Sequence, residues 1–220
     1  MLIFRREIAN TRYMQVLSYR TIQQPSDGNY KEKGSKFLGF AIPVQSEHDV
    51  KQKLTELKKK YFDARHHCYA FVLGPDKMKY RAFDDGEPNH SAGDPILGQI
   101  RSRDLTNVLI VVVRYFGGVK LGVGGLISAY KAAAENALDN STIIELEVLQ
   151  QYEIRYAYLN TPDVMKLVKE FELQIIEQRF DEECVVVAMI TLRLKEKFLE
   201  KVKLLKALGG AISVLEIPLS

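Results

Sequence analysis

The stretch that decides the fold passes from an apolar strand through a glycine-rich loop into a helix. Residues 106–116 (TNVLIVVVRYF) predict a buried strand, residues 117–125 (GGVKLGVGG) form the loop, and residues 126–138 (LISAYKAAAENAL) predict a helix. Five glycines in nine residues permit positive φ angles and remove the Cβ atoms that keep a ligand away from the backbone. The positive end of the helix dipole faces this loop, which favours an anion and above all a phosphate.

We therefore predict an anion- or nucleic-acid-binding site in the loop, with Arg114 and Lys120 supplying positive charge on either side. Its backbone positions are the five glycines, Gly117, Gly118, Gly122, Gly124 and Gly125. The loop is not a P-loop, because no Gly-Lys-Ser/Thr follows at the required spacing. It does not fit the dinucleotide fingerprint either, because Ile127 stands where the third glycine or alanine belongs. Two alternatives stay open. The glycines only permit close packing of strand and helix, or Arg114 forms a structural ion pair with a carboxylate such as Asp84 or Glu87.

The composition is that of an ordinary globular chain, with 46% hydrophobic and 27% charged residues in a length of 220. The longest apolar runs, residues 108–113 and 184–190, are far shorter than the ~18 residues of a membrane span. The first residues lack the pattern of a secretory signal, and the two cysteines suit neither a disulfide framework nor a metal site. We expect a cytoplasmic protein with reduced thiols, no membrane partner, no cofactor and no metal.

The charge is unevenly distributed along the chain. Residues 1–140 carry 21 Lys and Arg against 15 Asp and Glu, a net charge of +6. Residues 141–220 carry 10 against 13, a net charge of −3. Basicity of this degree in the first part is compatible with RNA or ribosome contact without requiring it.

The last seventy residues show a regular alternation of predicted elements. Strands are predicted at residues 152–159, 173–180, 184–194 and 211–219, and amphipathic helices at residues 162–171 and 195–208. The order β-α-β-β-α-β is the split βαβ, or ferredoxin-like, pattern. We assign it to a C-terminal domain, residues 141–220.

The preceding part is also mixed. Strands are predicted at residues 19–24, 36–44, 68–74, 78–84 and 107–116, and helices at residues 46–61, 92–101 and 125–139. This order favours an α+β sheet with helices on one face over a doubly wound parallel sheet. We assign residues 1–17 to an N-terminal extension and residues 18–140 to an α/β domain, with a junction near residues 140–147.

An acidic loop at residues 83–95 provides candidate catalytic groups. Asp84, Asp85 and Glu87 have the density needed to hold Mg²⁺ or to supply a general acid and base. The alternative, which we favour, is a structural turn that caps the helix beginning near Ala92, because Asp, Gly and Pro form turns for reasons of their own.

A fourth catalytic candidate is His66, two positions before Cys68. Strand alternation puts these two side chains on one face of the sheet and His67 on the other. Residues two apart on a strand rarely meet in the geometry of a Cys–His nucleophile. A partly buried histidine beside an inert core cysteine is therefore the favoured interpretation.

Several motifs together resemble the IMPACT/YigZ family. They are GSKF at residues 34–37, AxHxCYA at 64–70, DDGEP at 84–88, AGxPIL at 92–97, and the long run TNV…RYFGGxKLGxGGLxxAY at 106–130. The match spans about residues 30–140, with the motifs in the family's order. One small departure is His67, where the family commonly has asparagine.

The resemblance implies a first domain with the left-handed βαβ fold found in ribosomal proteins. It also implies a small C-terminal domain like that of bacterial members, and an architecture similar to domains four and five of elongation factor G. Eukaryotic members act in translational control through an additional N-terminal domain that recruits a partner of a stress-activated kinase. The 220 residues leave no room for that domain, so we do not carry the kinase-pathway role over.

Three functions follow as hypotheses. The first is a cytosolic, non-catalytic protein that binds RNA or the ribosome and acts in translation or its regulation. The second is an enzyme acting on a phosphorylated or peptide-like substrate through residues 84–87. The third is a protein-binding module whose small domain pairs a sheet edge with a protein partner.

Overall fold

The computed structural model describes residues 15–181 and 183–218, so residues 1–14 of the predicted N-terminal extension lie outside it. Its strands are β1 (Ser18–Ile22), β2 (Ser26–Glu32), β3 (Ser35–Pro43), β4 (His66–Leu73), β5 (Lys79–Phe83), β6 (Val108–Tyr115), β7 (Ile143–Glu147), β8 (Leu149–Tyr156), β9 (Gln174–Phe180), β10 (Cys184–Thr191) and β11 (Ile212–Ile217). Its α-helices are α1 (Glu47–Lys60), α2 (Gly93–Ser102), α3 (Gly122–Asp139), α4 (Thr161–Glu170) and α5 (Lys195–Ala207).

The first large sheet has five antiparallel strands in the order β2-β3-β6-β4-β5. Its centre is β6, in which all residues from Val108 to Arg114 are buried. Side chains alternate across the sheet, so Ile110 and Val112 join one hydrophobic cluster while Val111 and Val113 join another. A strand buried on both faces requires a layer of helix on each side.

The two helical layers correct one of our expectations. Helices α2 and α3 pack on one face of the sheet, as the positions of Ile96 and Ala133 in its cluster show. Helix α1 covers the opposite face through Val50. The prediction of helices on one face only was wrong, because α1 connects β3 to β4, which flank β6, and crosses the sheet on the side that α2 and α3 leave open.

Local sequence explains how α1 and α3 are positioned. Helix α1 starts with a capping box in which the Ser46 side chain accepts from the backbone of Asp49 and the Asp49 carboxylate accepts in return. Helix α3 lies against β2 and β3, where the backbones approach closely. A Cβ on Gly39 would lie 2.4 Å from the carbonyl oxygen of Ala133, so only glycine fits there.

A separate two-stranded sheet links the beginning of the described chain to its middle. Strand β1 pairs antiparallel with β7, with Ser18 opposite Glu147 and Ile22 opposite Ile143. Residues 143–147, which we placed at the start of the C-terminal domain, therefore hydrogen-bond to a strand of the first part. The division into domains at residue 140 stays a prediction.

The remaining strands form a four-stranded antiparallel sheet in the order β11-β8-β10-β9. The elements follow one another as β8-α4-β9-β10-α5-β11, apart from two short 3-10 turns. Helices α4 and α5 cover one face, with Leu167 and Phe198 in the cluster that this layer forms.

The mixed α/β character is confirmed, with three sheets and five α-helices within residues 15–181 and 183–218. Every predicted helix is present, with ends that differ by up to three residues. Strands β2 and β7 were not predicted. No helix in the described part of the chain is long and apolar enough to cross a membrane.

Candidate functional site

The candidate site lies at one end of the central strand β6. Arg114, near the end of this strand, stands opposite His66 on one neighbouring strand and Phe37 on the other. All three belong to the face of the sheet on which α2 and α3 pack. The alternation predicted for β4 is thus present, with Cys68 buried on this face and His67 on the other.

Arg114 is held by a buried ion pair. Its Nη1 atom donates to Oε1 of Glu87 at 2.6 Å, and the Arg114 and Glu87 side chains are only 7% and 5% exposed. The hydroxyl of Tyr130 on α3 donates to the same carboxylate oxygen at 2.7 Å. Arg114 therefore forms the ion pair with the acidic loop that we gave as an alternative, and its partner is Glu87.

The ion pair does not use every hydrogen-bond donor of the guanidinium. The Nε atom of Arg114 is buried and has no hydrogen-bond partner among the described residues. The guanidinium lies between two aromatic rings, 5.4 Å from the centroid of Phe37 and 5.7 Å from that of Phe116. A buried donor without a partner is costly, so this position favours a ligand that accepts hydrogen bonds.

A pocket of about 480 Å³ opens beside this arginine. Its polar wall contains Arg65, His66, Glu87, Arg114 and Lys120. Its apolar wall contains Pro88 and Phe116 together with three side chains at the start of α3: Leu121, Val123 and Leu126. The two cations that we predicted for the anion site thus line one pocket, with Arg114 buried and Lys120 exposed.

The glycines of the loop have different roles. Gly117 allows a close contact between two backbones, because a Cβ there would lie 1.9 Å from the carbonyl carbon of Gly34. Gly118 and Gly122 have φ angles of +87° and +71°, which other residues rarely adopt. A Cβ on Gly124 would meet nothing within 4 Å. At Gly124, therefore, neither close packing nor a positive φ angle requires a glycine.

Helix α3 begins at Gly122, three residues before the predicted start. It has no side-chain cap and no acidic residue in its first turn. The first N–H groups of a helix have no acceptor within it, so those of α3 are available at the edge of the pocket. The assignment of an anion to them stays a prediction.

The carboxylates of the acidic loop each have partners within the protein. Asp84 Oδ1 accepts from the backbone of Ala92 and Gly93 at 3.0 and 2.8 Å, and its Oδ2 accepts from that of His90 at 2.9 Å. Asp85 Oδ2 accepts from the backbone N–H of His67 at 2.7 Å. These bonds start helix α2 and hold the turn, which is the structural role that we favoured.

Cys68 lies in the interior behind this loop. Its Sγ atom is 2.9 Å from the carbonyl oxygen of Asp84 and 3.3 Å from the hydroxyl of Tyr130. Burial raises the pKa of the Cys68 thiol and the pKa of the Tyr130 hydroxyl. Both groups are thus neutral at physiological pH, and a neutral thiol is a poor nucleophile. His66 instead places Nδ1 2.9 Å from the carbonyl oxygen of Asp85.

We expect Mg²⁺ or Mn²⁺ at millimolar concentration to leave the melting temperature unchanged. No cluster of three His, Cys, Asp or Glu residues that could hold a metal occurs in residues 15–181 and 183–218. A metal that bound only the folded state would raise the melting temperature by mass action. Thermal unfolding with and without metal tests this. A rise in melting temperature that Asp85→Asn abolishes would contradict this expectation. It would support the hypothesis of a metal-dependent reaction at this loop.

Several residues in or behind the pocket were not predicted from the sequence. Arg65 and Phe116 stood inside motifs that we quoted, but nothing in their spacing directed them to a common space. Tyr130 is 43 positions from Glu87, and only the packing of α3 on the sheet brings the two together. The available signal for Tyr130 was its place on the buried face of α3, one turn after Leu126.

The fold and the pocket define a mixed α/β protein with a basic, partly aromatic pocket at a strand–helix junction. Residues 33–138 match the model of the Impact N-terminal domain. The chain is 33% identical over 150 residues to the IMPACT family member YigZ of Escherichia coli, covering 67% of this chain and 74% of that protein. The chain belongs to the IMPACT family.

One further relative supports this assignment, and one solved structure supports the fold. The IMPACT family member YvyE of Bacillus subtilis is 34% identical over 133 residues, which cover 60% of this chain and 61% of that protein. A crystal structure of a hypothetical protein has a TM-score of 0.73 and 26% identity, and the alignment covers 94% of this chain and all of that one.

Proposed function

We propose that this chain binds RNA, free or within the ribosome, through the pocket beside Arg114 and thereby acts in translation or its regulation in the cytoplasm. The observation that carries the proposal is the combination found on the pocket wall. The wall contains the buried guanidinium of Arg114, whose Nε has no partner among the described residues, and the exposed cations Arg65 and Lys120. It also contains the exposed ring of Phe116 and the start of α3, which has no side-chain cap.

Electrostatics favours a phosphate in this pocket. Arg114 and Glu87 neutralise each other as a pair, which leaves Arg65 and Lys120 as the net charge of the lining. The dipole of α3 adds partial positive charge at its N-terminus, and its free N–H groups are oriented for an anion. Gly124 permits close approach to that backbone.

The apolar part of the lining favours a nucleotide over a bare anion. The Phe116 residue is 53% exposed although it lines the pocket, and Val123 is 52% exposed. Stacking of a base on an aromatic ring contributes about 1–3 kcal/mol per base and is tolerant of sequence. Exposed apolar side chains among cations are typical of surfaces that bind single-stranded RNA.

The architecture supports the same proposal by resemblance. We assign the five-stranded sheet, in which α1 connects β3 to β4, to the left-handed βαβ fold of ribosomal proteins. We assign the β11-β8-β10-β9 sheet with its two helices to the ferredoxin-like fold. Residues 18–140 and 141–220 would then correspond to two domains arranged like domains four and five of elongation factor G. The role in translation rests on the family resemblance seen in the sequence, which implies translational control for eukaryotic members.

One observation favours a protein partner as a second candidate function. Strand β9 is an outer strand of its sheet, and all seven of its residues are exposed. They include Ile175, Ile176 and Phe180, which are 41%, 54% and 55% exposed. An outer strand with free N–H and C=O groups can pair with an extended segment of another protein.

We expect Lys120→Ala to weaken binding of the full-length protein to unstructured single-stranded RNA. Loss of one phosphate contact should also reduce the slope of log K against log salt by about 0.7. Fluorescence anisotropy at several salt concentrations measures both quantities. The matched control is Lys203→Ala, which removes an exposed lysine of α5 that forms no ion pair within the described residues.

Equal effects of the two substitutions would contradict the proposed site, because they change the net charge alike. Crosslinking of the tagged protein in cells then separates the two candidate functions. Recovery of rRNA or tRNA supports RNA binding, and recovery of protein alone supports the β9 edge.

A further inference from the structure

A second basic surface lies on the other face of the first sheet, away from the pocket beside Arg114. Helix α1 and the outer strand β5 border a groove of about 450 Å³. Its floor is apolar and contains Val50, Leu54 and Phe71. We name it the α1–β5 groove and define it by its four cations, Lys51, Lys58, Lys79 and Arg81.

The cations form two rows that face each other. Lys51 and Lys58 are seven residues apart on one side of α1, which is about 10 Å along the helix axis. Lys79 and Arg81 are two residues apart on β5, which is about 7 Å along the strand. Cations at intervals along two edges suit a chain with repeated negative charges better than one small anion.

Little acidic charge opposes these cations. The one carboxylate in the lining is Glu47, whose Oε1 atom lies 2.9 Å from Nζ of Lys79. This ion pair occupies one end of the groove and leaves Lys51 and Arg81 without an ion pair among the described residues, while Lys58 has only a long contact with Asp85. Tyr80, between Lys79 and Arg81 on β5, alternates to the opposite face of the sheet, where Arg101 of α2 stacks 4.3 Å from the centroid of its ring.

The groove is connected to the pocket through a single residue of the acidic loop. Lys58 Nζ lies 3.8 Å from Oδ1 of Asp85. The carbonyl oxygen of the same Asp85 is bound by Nδ1 of His66, which lines the pocket. The C-terminal end of α1 is therefore next to the pocket, and Lys59 and Lys60, both exposed, extend the positive charge there.

We propose that the α1–β5 groove binds the phosphate backbone of the same RNA strand whose nucleotide occupies the pocket. This inference rests on the proposed function and extends it from one nucleotide to a track. An RNA is favoured over an acidic peptide because the groove adjoins the nucleotide pocket through Lys58, Asp85 and His66. The contacts are to phosphate, so the groove adds affinity without sequence preference.

The test compares oligouridylates of about 3 and about 10 nucleotides, lengths below and within the usual range of single-strand sites. The groove variant is Lys51→Ala/Lys58→Ala/Arg81→Ala in the full-length protein. The matched control, Lys197→Ala/Lys203→Ala/Lys206→Ala, makes the same change in net charge on exposed positions of α5. Circular dichroism confirms that each variant is folded, and anisotropy competition measures affinity.

The wild type is expected to bind the longer RNA more tightly than the shorter one. The groove variant is expected to bind the short RNA as the wild type does and the long RNA about 10-fold more weakly, with a salt slope smaller by about 2. The control variant is expected to retain the length dependence.

Each other outcome has a distinct meaning. Absence of binding to either RNA by the wild type would overturn the proposed function and this inference together. Binding without length dependence, or equal behaviour of the two variants, would overturn the inference and leave the pocket intact. Competition by polyglutamate as effective as that by RNA of equal charge would assign the groove to an acidic protein segment and would also overturn the inference.

Discussion

Arg114→Ala is expected to lower the free energy of unfolding by about 3–5 kcal/mol. The substitution removes the guanidinium from a site in which both members of the ion pair are buried. Glu87 would then keep its charge in the interior with the Tyr130 hydroxyl as its remaining side-chain donor. An uncompensated buried charge is among the largest single causes of instability. Urea unfolding monitored by circular dichroism measures the loss.

Two variants accompany this measurement. Arg65→Ala removes a cation that lines the same pocket but is exposed, and it is expected to change stability by less than about 0.5 kcal/mol. Arg114→Met/Glu87→Gln removes both charges and keeps an acceptor for Tyr130, so it is expected to recover most of the lost stability. A loss for Arg114→Ala no larger than that for Arg65→Ala would contradict the role of the buried pair.

Gly117→Ala is expected to destabilise the fold by about 3 kcal/mol or more, at the upper end of the range for overpacking. The new methyl carbon would lie 1.9 Å from the carbonyl carbon of Gly34 and 2.2 Å from the nitrogen of Ser35. These are backbone atoms of the β2–β3 turn, which cannot move aside as a side chain does. The Gly117 N–H also donates to the Ser35 hydroxyl at 3.1 Å. Thermal or urea unfolding of the purified variant measures the effect.

Gly124→Ala, in the same loop, is the matched comparison. Its methyl group meets nothing within 4 Å, and alanine is a better helix former than glycine. We expect stability to stay constant or to rise by about 0.5–1 kcal/mol. RNA binding should nevertheless weaken, because the methyl group stands where the ligand approaches the start of α3. Equal destabilisation by both alanines would mean that the whole loop serves packing alone.

Much of the fold follows from patterns within short stretches. The apolar runs around Val111 and Val186 and the amphipathic spacing of residues 162–171 and 195–208 predict their strands and helices, because each signal lies within its own element. Strand β2 was missed because its sequence SDGNYKE is polar and contains Gly28, and it pairs at the edge of its sheet. Strand β7 was missed because its partner β1 is more than a hundred residues away.

Less of the site could be predicted, and the reason is geometric. Arg114, Lys120 and the five glycines lie within residues 114–125, so one local motif was enough to predict that they share a site. The choice of Glu87 over Asp84 as the partner of Arg114 depends on how the acidic loop folds back over β4. Asp84 is held by three backbone N–H groups at the start of α2, so Glu87 faces the arginine. The position of α1 on the opposite face likewise depends on the order of strands in the sheet.

The central claim is that RNA occupies the pocket between Arg114 and the start of α3. Photocrosslinking of a 4-thiouridine-labelled single-stranded RNA to the full-length protein, followed by mass spectrometry of the crosslinked peptides, tests it most directly. We expect the crosslinks to concentrate on the peptide containing Phe116 and Lys120, and Gly124→Ala to reduce them in a folded protein. Crosslinks confined to residues 149–218, with none in the loop, would contradict the claim.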